Sequence, residues 1–259
     1  MKKLMQYFII SGQVIETRRS YLSVRSGRRT RGTRRAGSSS ARKISANEKQ
    51  EALRLGRILN ANFGGGGYLV TLKYSSERLP GNYEELCANG EKLMRRLRLL
   101  CRKQGSELMR VLVNANWSPK RNAPARFHHH VVINEIPLGL LRQLWPEGEM
   151  DVRTLKRGDL TGLAAYLCQN VKAEGKKTWS PSRGLEKPVF SEPVPVDEVD
   201  GILAPAGATD VYQEPTYDED GRQVGAYMRC TLPERPRLRG GQIILPRPPK
   251  RGGHRYAAD

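Results

Sequence analysis

The 259-residue sequence lacks several patterns that assign a chain to a common protein class. No apolar run approaches the roughly 18 residues of a transmembrane helix, which argues against an integral membrane protein. The four cysteines form no CxxC pair, which argues against a structural zinc site and a disulfide framework. The glycine run 64–67 lacks the Lys and Ser/Thr of a phosphate-binding loop and precedes a predicted strand. We therefore predict no ATPase or helicase module and no nucleotide cofactor.

Acidic residues are scarce relative to basic ones. The sequence has 26 Asp and Glu against 45 Lys and Arg, which gives a formal net charge of +19. A surface with this charge attracts polyanions, nucleic acid first and anionic membrane second. Residues 1–12 resemble a signal peptide only faintly, because Gln6 interrupts a short apolar stretch and no small-residue cleavage site follows. We therefore expect an intracellular protein that binds nucleic acid.

The charge is concentrated near the ends of the chain. Residues 17–43 carry ten basic side chains and no acidic one in a Ser-, Gly- and Thr-rich background, which predicts a flexible basic arm. This arm is either a solvated tail or a segment that follows nucleic-acid phosphates. Its candidate phosphate contacts are Arg28, Arg29, Arg31, Arg34 and Arg35.

The C-terminal third has the opposite charge at first and then becomes basic again. Residues 190–221 carry nine acidic side chains and no basic one, and 222–259 are basic and rich in Pro and Gly. The acidic stretch is a solvated tail, a nucleic-acid mimic or a partner of the basic arm, and the last stretch is predicted to be largely unstructured. We therefore divide the chain into a flexible basic arm (1–44), a folded domain (45–190) and a C-terminal tail (191–259).

The folded domain is predicted to be α+β, with helices packed on an antiparallel sheet. Ser45 and Glu48 form a capping box ahead of an amphipathic helix. Apolar periodicity then predicts the order α-β-α-β-β-α-α. The predicted elements after the first helix are a strand at 68–74, a helix at 83–104, a hairpin of strands 108–117 and 127–134, and helices at 138–145 and 159–172.

Three of the four histidines are consecutive, at positions 128–130. Because alternate side chains of a strand share a face, His128 and His130 point one way and His129 the other. Two imidazoles at this spacing can bind one divalent metal ion, and Val131, Val132 and Ile133 would bury the strand behind them. The competing interpretation is a run of surface histidines.

A tyrosine and a basic loop follow in the predicted helix 159–172 and beyond it. Tyr166 lies at the edge of the apolar face of this helix, where a tyrosine serves either packing or chemistry. The loop after the helix combines positive charge, hydroxyls and one aromatic ring, which suits phosphate contacts and base stacking along a single strand. The candidate DNA contacts are Lys73, Arg126, Lys176, Lys177, Trp179, Ser182, Arg183 and Lys187.

Residues 45–190 resemble the rolling-circle replication initiators of the HUH endonuclease superfamily, especially the plasmid and phage replication proteins. Three pieces carry the resemblance, in the family's order. The strand 68–74 looks like the T-L-T-Y motif, and Arg126 to Ile133 looks like the two-histidine metal motif. Leu163-Ala-Ala-Tyr166-Leu looks like the helix of the nucleophilic tyrosine, followed by the W-S-x-S-R-x-L-x-x-P pattern of this subgroup.

The resemblance implies a metal-dependent enzyme that nicks and rejoins single-stranded origin DNA, including hairpins. It implies that His128 and His130 bind Mg²⁺ or Mn²⁺, with imidazole ligands leaning toward Mn²⁺. It also implies that Tyr166 forms a 5′-phosphotyrosine and that Lys172 stabilises the phenolate or the phosphate. The implied protein partners are a host helicase and DNA polymerase, and no membrane is expected as a partner. The implied location is the cytoplasm of a bacterial host cell.

The sequence departs from the family pattern at three points. His129 stands where relatives have a hydrophobic residue, and Gln169 stands where many relatives have the lysine that follows the tyrosine. The preceding strand offers only Asn114 or Asn116 as a third metal ligand, and neither is charged. Two alternatives therefore stay open: a protein of the same fold that binds origin DNA without cleaving it, and a generic basic RNA-binding protein.

Overall fold

The computed structural model describes residues 2–23, 41–172, 177–239 and 242–244. The chain forms two compact units, one of Met1–Arg29 with Val189–Asp259 and one of Thr30–Pro188. The helices are α1 (Ala41–Phe63), α2 (Tyr83–Lys103), α3 (Leu138–Leu144) and α4 (Thr161–Gln169). The strands are β1 (Lys2–Ser11), β2 (Val14–Ser23), β3 (Tyr68–Lys73), β4 (Arg110–Ser118), β5 (Ala123–Ile133), β6 (Met150–Thr154), β7 (Ser180–Pro181), β8 (Val189–Phe190), β9 (Val194–Pro195), β10 (Thr209–Tyr217), β11 (Gln223–Thr231), β12 (Arg237–Arg239) and β13 (Gln242–Ile244).

The second unit is an antiparallel sheet in the order β6-β3-β5-β4-β7 with helices on both faces. The predicted α+β class is therefore confirmed. Each predicted helix and strand of this unit is present within a few residues of its predicted bounds. The structure adds β6 between α3 and α4, and the short edge strand β7, neither of which the sequence pattern predicted.

Two apolar cores lie on the two faces of this sheet. The core under α1 and α4 contains Leu55, Leu59, Val111, Val113, Val132, Ala164 and Leu167. The core under α2 and α3 contains Leu93, Met94, Leu97, Leu112, Val131, Ile133 and Leu141. Neighbouring residues of β4 and β5 alternate between these two cores, so these central strands are covered on both faces over most of their length. Whether a residue of a strand has an odd or even position therefore decides which face it lies on.

Two helix boundaries differ from the prediction. The helix α1 begins at Ala41, so Ser45 lies inside the helix and not at its start, where the sequence predicted it. The helix α4 is shorter than the predicted 159–172, because Asp159 Oδ1 accepts hydrogen bonds from the backbone N–H and the hydroxyl of Thr161 at its start. The turn between α1 and β3 requires glycine at position 67. Gly67 has φ +133°, and a Cβ there would lie 2.4 Å from the carbonyl oxygen of Ile133, which is too close for any other residue.

The first unit contradicts the prediction of a flexible arm at 1–44 as far as residues 2–23 are concerned. These residues form the β1–β2 hairpin, whose turn contains Gly12 at φ +63°. The predicted tail 191–259 is wrong for residues 209–217 and 223–231, because β10 and β11 extend the same sheet beside β2. Apolar side chains of both segments supply its small core, which contains Ile15, Met228, Cys230 and Leu232.

The remaining arm residues of the prediction, Arg28, Arg29, Arg31, Arg34 and Arg35, lie outside the described residues. Within the described residues, no helix has both the length and the apolar character needed to cross a bilayer.

Candidate functional site

A groove of about 880 Å³ opens on the second unit between β3, β5, β6 and the exposed side of α4. His128, His130 and Tyr166 all line it, so the structure brings the three principal predicted residues together. We call it the His–Tyr groove. Its other polar lining residues are Thr71, Lys73, Ser75, Ser76, Arg126, Glu149, Asp151 and Arg153.

The pairing of β5 with β3 places the two histidines. His128 pairs with Lys73 and His130 with Thr71, so these four side chains share one face of the sheet. The Nε2 atoms of His128 and His130 lie 3.1 Å apart. His130 is almost completely buried, whereas His128 lies at the half-buried rim. The prediction that alternate histidines converge is therefore confirmed.

Hydrogen bonds hold both rings from behind. His128 Nδ1–H donates to the carbonyl oxygen of Arg126 at 2.8 Å, which leaves the lone pair of Nε2 free. His130 Nδ1 lies 3.1 Å from the hydroxyl oxygen of Thr71. Burial lowers the pKa of His128, and burial lowers the pKa of His130 to about 3. Both rings are therefore neutral near pH 7, the state in which imidazole binds metal ions.

The two imidazoles meet the chemical requirements of a metal-binding pair. When Thr71 accepts from His130 Nδ1–H, the two Nε2 lone pairs face one another at 3.1 Å and repel unless a cation lies between them. When the Thr71 hydroxyl instead donates to His130 Nδ1, the proton of His130 is on Nε2 and donates to Nε2 of His128. Metal–nitrogen bonds are about 2.1 Å long, so both Nε2 atoms can reach one ion. A second hydrogen bond from each ring is the usual support of a metal-binding histidine.

Tyr166 extends from α4 toward the histidine pair. Its ring centroid lies 5.7 Å from that of His130, and the side chain is 45% exposed. The buried Asn60 of α1 fixes the start of α4, because its Oδ1 accepts from Leu160 N at 2.7 Å and its Nδ2 donates to Asp159 at 3.1 Å. With Ala164 buried on the inner side of α4, Tyr166 is directed outward into the groove.

Two carboxylates in the groove were missed by the sequence analysis. Asp151 pairs across the sheet with Thr71, which pairs in turn with His130, so the three lie in one row on the same face. Asp151 Oδ2 accepts from Arg153 Nε at 3.2 Å, and Glu149 Oε2 lies 3.4 Å from Lys73 Nζ. Since β6 was not predicted, no sequence signal placed these residues beside the histidines.

The predicted third ligands lie elsewhere. Asn114 pairs with His129, so parity places it on the sheet face opposite His128 and His130. Asn116 is occupied by the backbone after α4: its Oδ1 accepts from Lys172 N and its Nδ2 donates to Lys172 O, both at 2.9 Å. Neither asparagine lines the groove, so the prediction that they bind the metal is wrong. In the described part of the chain, no group of three or more His, Cys, Asp or Glu side chains is arranged to hold a metal ion.

His129 is a core residue of the opposite face. It is completely buried, and burial lowers its pKa to about 3. Its Nδ1–H donates to Asn114 Oδ1, and its Nε2 accepts from the hydroxyl of Tyr74, both at 2.8 Å. The departure from a hydrophobic residue at this position is therefore compensated, because both ring nitrogens have a partner.

This arrangement makes His129→Leu a test of the buried polar network. The leucine leaves Asn114 Oδ1 without its donor and removes the acceptor of the Tyr74 hydroxyl, which also bonds to Asn89, so we expect the free energy of unfolding to fall by about 2–4 kcal/mol. The measurement is urea unfolding followed by circular dichroism. In the double variant Tyr74→Phe/His129→Leu both members of one hydrogen bond are gone, and the loss should be smaller than the sum of the single losses. A His129→Leu protein as stable as the parent contradicts this account.

Lys172 is not brought to the groove. Its Nζ lies 4.1 Å from the ring centroid of Trp117, and it is not among the groove's lining residues. Asn116 holds its backbone on both sides. The predicted role of Lys172 beside the tyrosine is therefore wrong, and the cations that line the groove with Tyr166 are Lys73, Arg126 and Arg153.

The predicted DNA contacts of the loop after α4 divide by environment. Trp179 is half-buried against the core under α1 and α4, which is a packing position rather than an open stacking face. Ser182 bonds to β4, because its Oγ accepts from Arg110 N at 3.1 Å. Lys177, Arg183 and Lys187 are exposed away from the His–Tyr groove, and Lys176 lies outside the described residues.

Comparison of the chain with protein-family models, with curated proteins and with solved structures finds no match.

Proposed function

We propose that this protein nicks and rejoins single-stranded DNA at a replication origin, with Tyr166 as the nucleophile and a divalent cation on His128 and His130. The observation that carries the proposal is the convergence of these two Nε2 atoms at 3.1 Å, with the tyrosine ring 5.7 Å from one of the two imidazoles. Such a reaction needs neutral imidazoles, oriented by a second hydrogen bond, to bind the cation. It also needs an accessible nucleophile in the same groove, and the exposed Tyr166 meets that requirement.

The proposed reaction exchanges one phosphodiester for another. The Tyr166 Oη attacks phosphorus, an Oη–P bond forms, and the bond from phosphorus to the 3′ oxygen breaks. The phenol loses its proton and the departing 3′ oxygen gains one, so a free 3′-OH and a 5′-phosphotyrosine result. A bound Mg²⁺ or Mn²⁺ would supply Lewis-acid polarisation of the scissile phosphate. The 3′-OH can prime synthesis, and reversal of the exchange rejoins the strand without ATP.

Side chains of the groove suit a phosphate backbone on one side of the histidine pair. Lys73 and Arg126 line that side with positive charge, whereas Arg153 lies on β6 and is ion-paired with Asp151. Arg126 is held in place because its Nη2 donates to the carbonyl oxygen of Tyr74 at 3.0 Å. Asp151 and Glu149 lie on the β6 side, where a carboxylate can support a cation or accept a proton. A host helicase and DNA polymerase are the partners this proposal requires.

A second candidate function keeps DNA binding and omits cleavage. The absence of a three-residue metal-binding group among the described residues favours it, as does the placement of Asn114 and Asn116 away from the groove. The two candidates differ in one respect only, which is whether the strand is cut.

The experiment uses the full chain and a pool of single-stranded oligonucleotides that have a fixed hairpin stem and randomised flanks. With Mn²⁺ the proposal predicts that a subset of the pool is cut, leaving a 3′-OH product and a 5′ end attached to protein. With EDTA no product should form. Retention of the pool on the protein without any cut strand, at every metal tested, supports the binding-only candidate and contradicts the proposal.

A further inference from the structure

A second groove lies on the other side of the same unit. It has a volume of about 790 Å³ and is formed by α2, the start of β4 and the edge strand β7. We call it the arginine groove, because its lining includes five arginines: Arg95, Arg98, Arg102, Arg110 and Arg183. It shares no lining residue with the His–Tyr groove. Arg110 belongs to the α2 face of β4, because Leu112 two residues on packs under α2, so the two grooves lie on opposite faces of the sheet.

Helix geometry aligns three of these arginines. Arg95, Arg98 and Arg102 follow one another at spacings of three and four residues, so they form a single stripe along α2. The opposite side of the helix carries Leu93 and Leu97, which are buried in the core. Arg183 follows β7, which pairs with β4 and so brings a fourth exposed arginine to the same groove.

The groove has an excess of positive charge, because its five arginines face two glutamates, Glu91 and Glu107. Arg95, Arg98, Arg102 and Arg183 are exposed and make no ion pair within the part of the chain that the structure describes. The fifth arginine is different: Arg110 is buried and donates to Glu91 Oε2 at 3.1 Å and to Ser180 O at 2.7 Å. Burial lowers the pKa of Arg110, Glu91 opposes that shift, and the neighbouring Arg98 adds to it.

The Arg110 network gives the groove a rigid base. Ser180 Oγ donates to the second carboxylate oxygen of Glu91 at 2.8 Å, so one glutamate joins α2 to the edge strand β7. Ser182 and Arg110 share two further hydrogen bonds. The backbone N–H of Ser182 donates to the carbonyl oxygen of Arg110, and the backbone N–H of Arg110 donates to Ser182 Oγ. The stripe on α2 and Arg183 after β7 are therefore held at a fixed separation.

The spacing of the arginines matches a nucleic-acid backbone. Seven residues of helix from Arg95 to Arg102 span about 10 Å. One strand of a DNA duplex rises by about 3.4 Å per phosphate along the duplex axis, so the stripe covers about three phosphate steps along that axis. None of the described residues that line the groove is aromatic, so these residues offer no surface for base stacking. Guanidinium groups suit bidentate contacts to phosphate oxygens, and phosphate contacts carry no sequence information of their own.

We propose that the arginine groove binds the phosphate backbone of a DNA duplex, independently of its sequence. The groove then holds the double-stranded part of the DNA while a single strand occupies the His–Tyr groove on the other face. This inference rests on the proposed function only in taking DNA as the partner, because it requires no cleavage.

The test compares two triple variants of the full chain, both in a Tyr166→Phe background and in EDTA so that no cutting can occur. The first is Arg95→Gln/Arg98→Gln/Arg102→Gln. The matched control is Lys92→Gln/Arg96→Gln/Lys103→Gln, which removes the same charge from exposed positions on another side of α2. The probe is a fluorescent 20-base-pair duplex of arbitrary sequence, followed by anisotropy between 0.05 and 0.3 M salt.

We expect the first variant to bind the duplex at least about tenfold more weakly at 0.1 M salt than the control, with a salt slope smaller by about three. Binding of single-stranded dT20 should change less than duplex binding. With Tyr166 restored and Mn²⁺ added, the first variant should cut a short single-stranded oligonucleotide as the parent does, so failure of either proposal is seen separately.

Two results would overturn the proposal. The first is an equal duplex affinity and salt slope in the two triple variants. The second is displacement of the duplex from the parent protein by poly-glutamate as efficiently as by unlabelled duplex at equal charge, because the groove would then be a site for an acidic polypeptide.

Discussion

Tyr166→Phe is expected to abolish strand cleavage while leaving DNA affinity within about twofold of the parent. The substitution removes only the oxygen that would attack phosphorus, and the ring that packs beside His130 at 5.7 Å is kept. Within the described part of the chain, Tyr74 is the only other tyrosine that lines the His–Tyr groove. The Tyr74 hydroxyl already donates to His129 Nε2 on the other face, and burial raises its pKa to about 12. Loss of the nucleophile should therefore lower the cleavage rate by at least about a thousandfold.

The matched control for this prediction is Tyr68→Phe. Tyr68 lies on β3 in the same unit, with its side chain on the α2 side of the sheet. Its substitution removes the same hydroxyl group from a position outside the groove, so cleavage should be unchanged. Rates are measured on denaturing gels under single-turnover conditions, and affinities by anisotropy in EDTA. Residual cleavage by Tyr166→Phe above one tenth of the parent rate contradicts the assignment of the nucleophile.

His128→Ala and His130→Ala are each expected to abolish the stimulation of cleavage by Mn²⁺. Loss of an outer-shell partner already lowers metal affinity by about 10–100-fold, so loss of a ligand should lower it about a hundredfold or more. The measurement is the Mn²⁺ concentration that gives half-maximal cleavage, together with binding of Mn²⁺ alone followed by electron paramagnetic resonance. Metal binding alone is measured because it does not depend on the DNA sequence.

Two comparisons separate a ligand role from a structural one. His254→Ala removes the one histidine of the sequence outside the run 128–130 and should leave Mn²⁺ binding unchanged. Thr71→Val removes the hydroxyl 3.1 Å from His130 Nδ1 and keeps both Nε2 atoms, so it should weaken Mn²⁺ binding less than either histidine variant. Parent-like Mn²⁺ binding by a folded protein that lacks His128 or His130 contradicts the proposed metal site.

Strand periodicity was sufficient to place the histidine pair, because alternation within one strand depends on that strand alone. Alternation alone does not predict whether Asn114 lies on the same face as the histidine pair, because that depends on how β4 pairs with β5. In the observed register Asn114 lies opposite His129, and a shift of one residue would have placed it beside His128 or His130. The register between two strands depends on how the side chains of both strands pack on both faces of the sheet. The pattern of one strand alone does not specify that packing.

The second limit concerns contacts between distant parts of the chain. In the first unit Tyr227 pairs with Arg18, and Arg18 pairs with Tyr7. The charge density of residues 17–43 and 190–221 was interpreted as disorder, because an ordered sheet could be inferred only by pairing segments about two hundred residues apart. Asp151 was missed for a related reason: β6 has only five residues, and its pairing with β3 is what places the carboxylate in the row of Thr71 and His130.

The measurement that tests the account most directly is identification of the protein residue joined to DNA after cleavage. The parent protein is incubated with Mn²⁺ and a cut oligonucleotide from the randomised pool, then digested with nuclease and trypsin. The account predicts a mass increase of a 5′-phosphorylated nucleotide on the peptide 158–172, with the site of attachment at Tyr166 in the fragment spectrum. Attachment to another residue, or complete cleavage with no covalent adduct, would contradict it.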